Sequence, residues 1–226
     1  MTELNCINSQ WLGELHYDEA LALQRRAHQD VLNGHSGVVF GLEHSKVITI
    51  GKRGHVDFDL KTSMHHLNEQ GWQIRCIDRG GQATLHEPGQ LVIYPILKWS
   101  DFNLTPKQYV EMLLSVTEEA LLFVGADVRM DLGKGGVFSA KGKIAFCGLR
   151  LDQGVSRHGL SVNLRNSTSS FGCIRPCGRE ENAITNLEEL GGCVEPHEFF
   201  GIWMKQLQTQ VLRRTRPCSE SPIPAI

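Results

Sequence analysis

A cysteine and a lysine in this chain are placed in sequence contexts that suit nucleophilic acyl transfer. Cys177 lies in the run Ile-Arg-Pro-Cys-Gly, where proline and glycine predict a chain reversal that exposes the thiol. Lys143 opens the apolar run Lys-Ile-Ala-Phe-Cys-Gly-Leu. A free thiol is mostly protonated at neutral pH, and a nearby cation lowers its pKa and increases the thiolate fraction. We therefore predict a Cys177/Lys143 acyl-transfer site; the alternative is a solvated lysine and a small buried cysteine.

A second candidate binding segment runs from Asp78 to Gln90 and reads Asp-Arg-Gly-Gly-Gln-Ala-Thr-Leu-His-Glu-Pro-Gly-Gln. Gly80 and Gly81 carry no β-carbon, so backbone N–H groups beside them can approach a ligand closely. The alternative interpretation is a long hairpin connection without a ligand.

The elements that must position these residues are mostly strands. β-branched and apolar runs predict strands over 38–40, 47–50, 91–97, 143–151 and 158–164. Pro95 predicts an edge strand or a bulge, because proline cannot donate to a strand ladder. Gln153 and Gly154 predict a hairpin turn between the last two strands.

Three helices are predicted by apolar residues at three- and four-residue steps. The first carries Ala20 and Val31 and ends near Asn33, and the last follows Pro196. The middle helix is predicted to begin after Thr105, whose hydroxyl can cap its first turn. Pro106 suits the first helical position, and the glutamine three residues after Thr105 completes a capping box. Strands in the middle with few helices between them indicate the α+β class.

Composition limits the kind of protein. With 226 residues, 41% of them apolar, we expect one domain over 1–216 and a short tail over 217–226. The net charge of −2 argues against a nucleic-acid surface. No apolar run is long enough for a membrane span and the N-terminus has no leader pattern, so we expect a cytoplasmic protein. The seven cysteines are an odd number without paired spacing, which favours reduced thiols.

Several catalytic motifs are absent from the sequence. Neither Gly133-Lys134 nor Gly142-Lys143 belongs to a phosphate-binding P-loop. His86-Glu87 begins like a zinc-protease motif, but Pro88 breaks the helix and Gln90 stands where the second histidine would be. No Gly-x-Ser-x-Gly elbow of a serine hydrolase is present. We predict no metal and no cofactor.

Four motifs in register make the chain resemble the lipoyl(octanoyl) transferases of the lipoate-protein ligase B family. They are Arg-Gly-Gly-x-x-Thr-x-His-x-Pro-Gly-Gln from Arg79, Lys-Ile with a glycine five residues after Lys143, His-Gly-Leu followed by asparagine from His158, and Pro-Cys-Gly around Cys177. The resemblance covers about residues 42–178.

The resemblance implies a mixed, mostly antiparallel sheet flanked by helices, as in the catalytic domain of biotin- and lipoate-protein ligases. It implies transfer of an octanoyl group from acyl carrier protein to a lysine on lipoyl domains of 2-oxoacid dehydrogenases or on the glycine-cleavage H protein. Cys177 matches the nucleophile and Lys143 the lysine that lowers the pKa of its thiol. Lys143 is also expected to accept the proton of the incoming lysine. ATP is not required, since the thioester is already activated.

The same resemblance implies an acyl tunnel with three walls. The expected substrate-binding residues are Arg79, Gly80, Gly81, Gln82, Ala83, Thr84, Leu85 and His86, then Phe146, Cys147 and Gly148, and finally His158, Gly159, Leu160 and Ser161. We expect His86 and His158 either to orient the site or to donate toward a developing oxyanion, the alternative being that both are structural.

The chain departs from the family pattern at two positions beside His86. Glu87 replaces a glycine, and we expect it to narrow or shift the tunnel mouth or to raise the pKa of His86. Leu85 replaces an aromatic residue, and we expect it to reshape the pocket floor. Cys173 is expected to be an accidental neighbour of Cys177, the alternative being a resolving thiol.

Two other functions stay open at this point. An adenylate-forming lipoate or biotin ligase has the same fold and binds ATP without a P-loop, but it needs no cysteine nucleophile. A non-catalytic acyl-binding protein is the second alternative, and the altered residues beside His86 make it worth considering.

Overall fold

The computed structural model describes residues 7–176 and 183–215 of the chain. The strands are β1 Asn8–Leu15, β2 Val38–His44, β3 Val47–Ile50, β4 Gln73–Cys76, β5 Ala83–His86, β6 Gln90–Ile96, β7 Arg129–Asp131, β8 Gly136–Ser139, β9 Gly142–Asp152 and β10 Val155–Asn163. The α-helices are α1 Tyr17–Leu32, α2 Val56–Asp59, α3 Met64–Glu69, α4 Pro106–Phe123 and α5 Pro196–Thr215. Short 3-10 helices cover Trp99–Phe102, Thr168–Cys173 and Glu188–Leu190.

The strands form one large and one small sheet. The large sheet has seven strands in the order β1-β2-β6-β10-β9-β8-β7, and the small sheet has three in the order β4-β3-β5. In the large sheet, β1 and β2 are parallel and joined through α1, while the other pairs are antiparallel. The predicted α+β class with a mixed, mostly antiparallel sheet is confirmed.

Helices cover the two faces of the large sheet differently. On one face, α4 and α5 pack through residues such as Leu113 and Trp203 against Leu91 and Ile93 of β6. Trp203 also donates its indole N–H to Thr117 Oγ1 at 2.9 Å, which joins the two helices. On the other face, α1 packs on β2 and β6, and the small sheet lies beside it over its own apolar cluster. The large sheet is therefore the middle layer, and a space is left between it and the small sheet.

The three long helices agree with the prediction. The cap of α4 is the predicted capping box, because Thr105 Oγ1 accepts from the Gln108 amide and Gln108 Oε1 accepts from the Thr105 amide at 2.9 Å. α1 ends at Leu32 and α5 begins at Pro196. None of the helices in the described parts of the chain has the length and apolar character that crossing a membrane requires. The tail predicted over 217–226 lies outside the described residues.

The β9–β10 hairpin carries Lys143 and two of the three predicted walls of the site. Gln153 and Gly154 turn it with φ values of 48° and 87°, as a two-residue type I′ turn requires, so this prediction is confirmed. The edge position predicted from Pro95 is wrong, because β6 lies between β2 and β10. The ladder from β10 is interrupted beside Pro95 instead, since the β6–β10 pairing ends at Ile93 and returns only as an isolated bridge between Lys98 and Val155.

Candidate active site

A cavity of about 410 Å³ lies between the large sheet and the small sheet, a volume within the usual range for small-molecule sites. Fourteen of the fifteen residues predicted to contact substrate line it: Arg79, Gly80, Gly81, Gln82, Ala83, Thr84, His86, Phe146, Cys147, Gly148, His158, Gly159, Leu160 and Ser161. Lys143 lines it as well. Three motifs that are distant in sequence therefore meet in one space.

Lys143 is buried at the start of β9, with 4% of its surface exposed. Its ammonium nitrogen Nζ donates to the carbonyl oxygen of Lys134 at 2.9 Å. It also lies 4.9 Å from the ring centre of Phe146 and 5.3 Å from that of Phe138, which is cation–π distance. The predicted alternative of a solvated lysine is excluded, and the contacts favour a positively charged side chain.

Cys177 itself lies outside the described residues, so its distance from Lys143 stays a prediction. The chain on either side of it is described. Pro176 forms a parallel bridge to Ala83 in the small sheet, and Ile184 forms a parallel bridge to Lys143. The Lys143 amide donates to the Ala183 carbonyl at 2.9 Å. Both flanks of the Cys177 segment are therefore paired with walls of the cavity.

Arg79 holds the glycine-rich segment in place. Its guanidinium is 7% exposed and donates to the backbone carbonyls of Thr49, Gly80 and Gln82 at 2.6–2.8 Å, and to Thr49 Oγ1. The Gly80 amide donates to the Leu149 carbonyl at 3.1 Å, so it is already used within the protein. The hydrogen bonds of Arg79 therefore hold residues 80–82 in place as one wall of the cavity.

His86 is held from one side by a side-chain amide. Its Nδ1 lies 2.6 Å from Gln90 Oε1, an acceptor, so Nδ1 carries the hydrogen. Burial lowers the pKa of His86 to about 3, helped by nearby His44 and opposed by the bond to Gln90. The imidazole is therefore neutral, and its Nε2 is an acceptor.

The tautomer of His158 is also fixed by a hydrogen bond, in this case to a carboxylate. Its Nε2 lies 2.8 Å from a carboxylate oxygen of Asp78, so Nε2 carries the hydrogen. Burial lowers the pKa of His158 to about 4 against the opposing effect of Asp78. Burial also opposes the charge of Asp78, but the hydrogen bonds from His158 and Arg157 outweigh it and hold the pKa of that carboxyl well below its usual range. His158 is therefore a neutral imidazole that donates a hydrogen bond to the Asp78 carboxylate.

His158 adopts a backbone conformation that side chains rarely take, with φ at +53°. Its amide donates to Gln24 Oε1 of α1 at 2.8 Å, which helps to stabilise this geometry. The next residue must be glycine, because a β-carbon at Gly159 would lie 1.9 Å from the Ile93 carbonyl oxygen. The local strain and the close approach together place the His158 ring at the cavity wall.

The tautomers change one prediction about catalysis. We expected His86 and His158 either to orient the site or to donate a hydrogen bond toward an oxyanion. The second expectation is wrong, because the neutral rings have no free N–H. Each ring has one N–H, and that N–H is already bonded to Gln90 or to Asp78. Orientation is the role that the geometry leaves open.

Leu85 is the predicted contact residue that does not line the cavity. It is fully buried in the apolar cluster under the small sheet, with Ile48 and Leu67. Side chains alternate along β5, so Thr84 and His86 face the cavity while Leu85 faces away. The expectation that Leu85 shapes the pocket floor is therefore wrong.

Glu87 also points away from the cavity. It is buried, and its Oε2 accepts a hydrogen bond from Ser170 Oγ at 3.0 Å. Burial raises the pKa of Glu87, and the bond from Ser170 opposes this. The expectation that Glu87 raises the pKa of His86 is wrong, because that pKa is lowered, and Glu87 is not part of the cavity wall.

Replacing Glu87 by glutamine is therefore expected to leave catalysis nearly unchanged. Glu87→Gln keeps an acceptor for Ser170 and removes the charge, so turnover should stay within a factor of about two, as for changes away from a site. The pH dependence of turnover and the acyl-chain preference, measured with carrier-bound chains of six to ten carbons, are the observables. A shifted pH profile in Glu87→Gln would show that the Glu87 carboxylate acts on the catalytic residues.

Two described cysteines, one in the cavity wall and one close to Cys177 in sequence, differ from the predicted nucleophile. Cys147 lines the cavity, and burial raises the pKa of its thiol to about 11, so it stays protonated. Cys173 donates from Sγ to the Ser170 carbonyl at 3.0 Å, and burial raises its thiol pKa too. Neither thiol has the lowered pKa of a reactive cysteine.

Sequence reasoning missed several residues of the cavity wall. Tyr17 comes from the start of α1, Tyr94 and Val92 from β6, and Leu132 to Gly135 from the turn before β8. The one available signal was the glycine-rich run after Leu132, which we considered only as a phosphate loop. The Tyr17 hydroxyl has no hydrogen-bond partner among the described residues, although it is buried.

The comparisons with known proteins agree on a family. The model of the lipoyl protein ligase A/B catalytic domain matches residues 16–211. An octanoyltransferase from Pelobacter propionicus is 33% identical over 219 residues, which cover 95% of this chain and 96% of the relative. An octanoyltransferase from Persephonella marina is 33% identical over 180 residues, 79% of this chain and 85% of the relative.

A solved structure supports the same fold. The bipartite lipoate protein ligase from Thermoplasma acidophilum matches with a TM-score of 0.71 at 12% identity, over 91% of this chain and 84% of that chain. The two sequence relatives span most of the chain, and the family model, over residues 16–211, includes the cavity, Lys143 and both flanks of Cys177. The chain belongs to the lipoyl protein ligase A/B catalytic-domain family, in its octanoyltransferase branch, and is an acyltransferase.

Proposed function

We propose that this acyltransferase moves an octanoyl group, or a lipoyl group, from acyl carrier protein to a specific lysine of a lipoyl domain through a thioester on Cys177. The acceptors we propose are the lipoyl domains of 2-oxoacid dehydrogenases and the glycine-cleavage H protein. The reaction is the first step of endogenous lipoate synthesis and takes place in the cytoplasm. The names of the relatives support octanoyl transfer.

One observation carries the proposal. The two flanks of the Cys177 segment are paired with opposite walls of the cavity, through Pro176 to Ala83 and through Ile184 to Lys143. Lys143 is a buried cation of that cavity on the wall that Ile184 pairs with, and a cation favours the charged form of a nearby thiol. This arrangement supports Cys177 as the nucleophile and Lys143 as the group that activates it.

In the first half-reaction, the Cys177 thiolate attacks the carbonyl carbon of the octanoyl thioester. A bond from Cys177 Sγ to that carbon forms, and the bond from the carbon to the carrier sulfur breaks. Lys143 gives a proton to the leaving carrier thiolate, which departs as a thiol. One thioester replaces another, so no ATP is needed.

In the second half-reaction, the acceptor lysine attacks the acyl-enzyme as a free amine. The carbon–nitrogen bond forms and the bond to Cys177 Sγ breaks, which returns the thiolate. The now neutral Lys143 takes the extra proton from the attacking nitrogen and becomes an ammonium again. The site is then ready for another cycle.

The test uses the full chain with an octanoyl-carrier protein and a lipoyl domain, without ATP. We expect the lipoyl domain to gain the mass of one octanoyl group, and the enzyme alone with the donor to gain the same mass, both by intact-protein mass spectrometry. Modification only with free octanoate and ATP would indicate an adenylate-forming ligase instead. Binding of the donor without any transfer would indicate a non-catalytic acyl-binding protein.

A further inference from the structure

Two residues of the sequence motifs have no role in the chemistry described so far. Gln90 follows the Pro-Gly turn after His86, and Asn163 ends the His-Gly-Leu motif. Both side chains are fully buried, and the two residues are paired directly across β6 and β10. Burying two amides has a free-energy cost unless their donors and acceptors are bonded.

The two amides form a chain of hydrogen bonds that ends on His86. Asn163 Nδ2 donates to the Thr185 carbonyl at 3.0 Å, and Gln90 Nε2 donates to Asn163 Oδ1 at 2.8 Å. His86 Nδ1 then donates to Gln90 Oε1 at 2.6 Å. Gln90 Nε2 also donates to the Leu85 carbonyl at 3.3 Å, so each of its hydrogens has an acceptor.

Neither amide can be turned around without loss. Turning Gln90 would place its oxygen against two acceptors, the Leu85 carbonyl and Asn163 Oδ1, and its NH₂ against the His86 ring. Turning Asn163 would place its oxygen against the Thr185 carbonyl. Because backbone carbonyls anchor both ends of the chain, the only consistent pattern puts the hydrogen of His86 on Nδ1.

We propose that Gln90 and Asn163 are positioning residues that hold His86 in its Nδ1–H tautomer, so that Nε2 accepts a hydrogen bond from the amine of the acceptor lysine in the cavity. This role rests on the proposed transfer to a lysine. His86 orients that amine and does not take its proton, which goes to Lys143.

The far end of the chain of bonds lies beside Lys143. The Thr185 amide donates to the Lys143 carbonyl at 3.1 Å, while the Thr185 carbonyl accepts from Asn163. The wall that carries His86 and the wall that carries Lys143 are thus joined by one buried network. Such a network fixes the ring and the lysine relative to each other, which two separate residues would not achieve.

Burial keeps His86 neutral, and the charged and titratable groups around it act in the same direction. The charged and titratable groups that act on it are His44 on β2, Arg79 before β5 and His158 on β10. A cationic arginine and two neighbouring imidazoles oppose a second proton on the ring. The neutral amide of Gln90 accepts from Nδ1 without supplying the negative charge that would stabilise an imidazolium.

The first test reads the tautomer directly in the wild-type protein. In the full chain labelled with ¹⁵N-histidine, the His86 signals are assigned by their loss in His86→Gln. We expect Nδ1 to be protonated and Nε2 unprotonated at pH 7. A ring with its hydrogen on Nε2 would overturn the proposal, and this readout requires no catalytic activity.

The second test introduces a charge at the partner of His86. Gln90→Glu keeps an acceptor for Nδ1 and adds a carboxylate, which stabilises the protonated ring, so Nε2 becomes a donor at low pH. We expect the pKa of His86, followed by its ¹⁵N shifts, to rise by about two units or more from about 3, and the acid limb of the pH profile of turnover to move up with it. Turnover should be lower by about tenfold one pH unit below the new pKa and should recover by about pH 7. The exposed Gln108→Glu makes the same charge change far from the cavity and should leave the profile unchanged.

The outcomes separate this inference from the proposed function. Octanoyl transfer with an unmoved acid limb in folded Gln90→Glu would overturn the role of Gln90 and leave the transfer standing. A protonated Nδ1 in a protein that transfers no acyl group to a lysine would overturn the proposed function and the role of His86 toward the amine together. If Gln90→Glu does not fold, the tautomer of the wild-type protein decides.

Discussion

Replacing Cys177 by alanine is expected to abolish the covalent acyl adduct and to lower the rate of octanoyl transfer by at least about 1,000-fold. The thioester on Cys177 divides one difficult transfer into two easier ones, and alanine has no atom that can form it. Intact-protein mass spectrometry after mixing with the octanoyl donor measures the adduct, and modification of a lipoyl domain measures the rate. An adduct of unchanged mass and yield in Cys177→Ala would rule out this nucleophile.

Two matched cysteine variants serve as controls. Cys147 lines the same cavity, but burial raises the pKa of its thiol to about 11, so Cys147→Ala should still form the adduct. Cys173 is near Cys177 in sequence, and its thiol pKa is also raised. Cys173→Ala should likewise keep the adduct, whereas loss of the adduct there would indicate that Cys173 carries the acyl group.

Lys143→Met is the companion variant for the activation of Cys177. Methionine keeps much of the apolar packing on Phe146 and removes the cation. We expect turnover to fall by about 100-fold, the usual range for losing a positioned proton-transfer group. The rate of adduct formation should then increase with pH, because the thiol no longer has a cation that favours its ionised form. Unfolding by urea checks that the variant remains folded.

Local patterns predicted much of this fold. α1, α4 and the β9–β10 hairpin follow from apolar periodicity, a capping box and a two-residue turn, which depend on neighbours along the chain. β1 was not predicted, because its pairing register shifts between Trp11 and Glu14 and this breaks the alternation of side chains. The place of Pro95 inside the sheet was not predicted, because it depends on the pairing of β6 with β2 and β10, which lie elsewhere in the sequence.

For the site too, local motifs were informative, while features that depend on contacts between distant elements were not predicted. Fourteen of the residues that the motifs predict to contact substrate line the cavity, and their contact with substrate stays a prediction. The states of the side chains were not predictable, since they depend on partners from other elements. Gln90 decides the tautomer of His86, and Asp78 that of His158. Leu85 was predicted to line the cavity because it lies within a family motif. Alternation of side chains along β5 places it on the opposite face of that strand.

Lowering the pH from 7.5 to 5 is expected to lower the free energy of unfolding by several kcal/mol. His44, His86 and His158 are buried, and burial lowers their pKa values to about 4, about 3 and about 4. Each folded-state pKa is below the unfolded value of about 6.5, so the stabilisation is fully present above pH 6.5 and is lost as the pH falls toward 4. At pH 5 the loss is about 2 kcal/mol for each histidine.

Urea unfolding at several pH values between 7.5 and 5 measures this loss. The slope near pH 5 reports how many more protons the unfolded chain binds, and we expect about two to three. Asp78 does not offset the change in this range, because its carboxyl is ionised in the folded chain and nearly so in the unfolded chain. Glu87 offsets part of it, because burial raises the pKa of this carboxyl in the folded chain. A slope that corresponds to less than one proton would contradict neutral buried imidazoles.

Single variants assign the slope to particular rings. His44 Nδ1 donates to the Leu15 carbonyl at 2.9 Å, so its Nε2 accepts from the Tyr94 hydroxyl at 2.7 Å. His44→Gln keeps a donor and an acceptor but cannot titrate, so the slope near pH 5 should fall by about one proton. The matched variant His65→Gln removes an exposed histidine and should leave the slope unchanged. Because a domain is stabilised by only about 5–15 kcal/mol, three such rings make this fold intrinsically sensitive to acid.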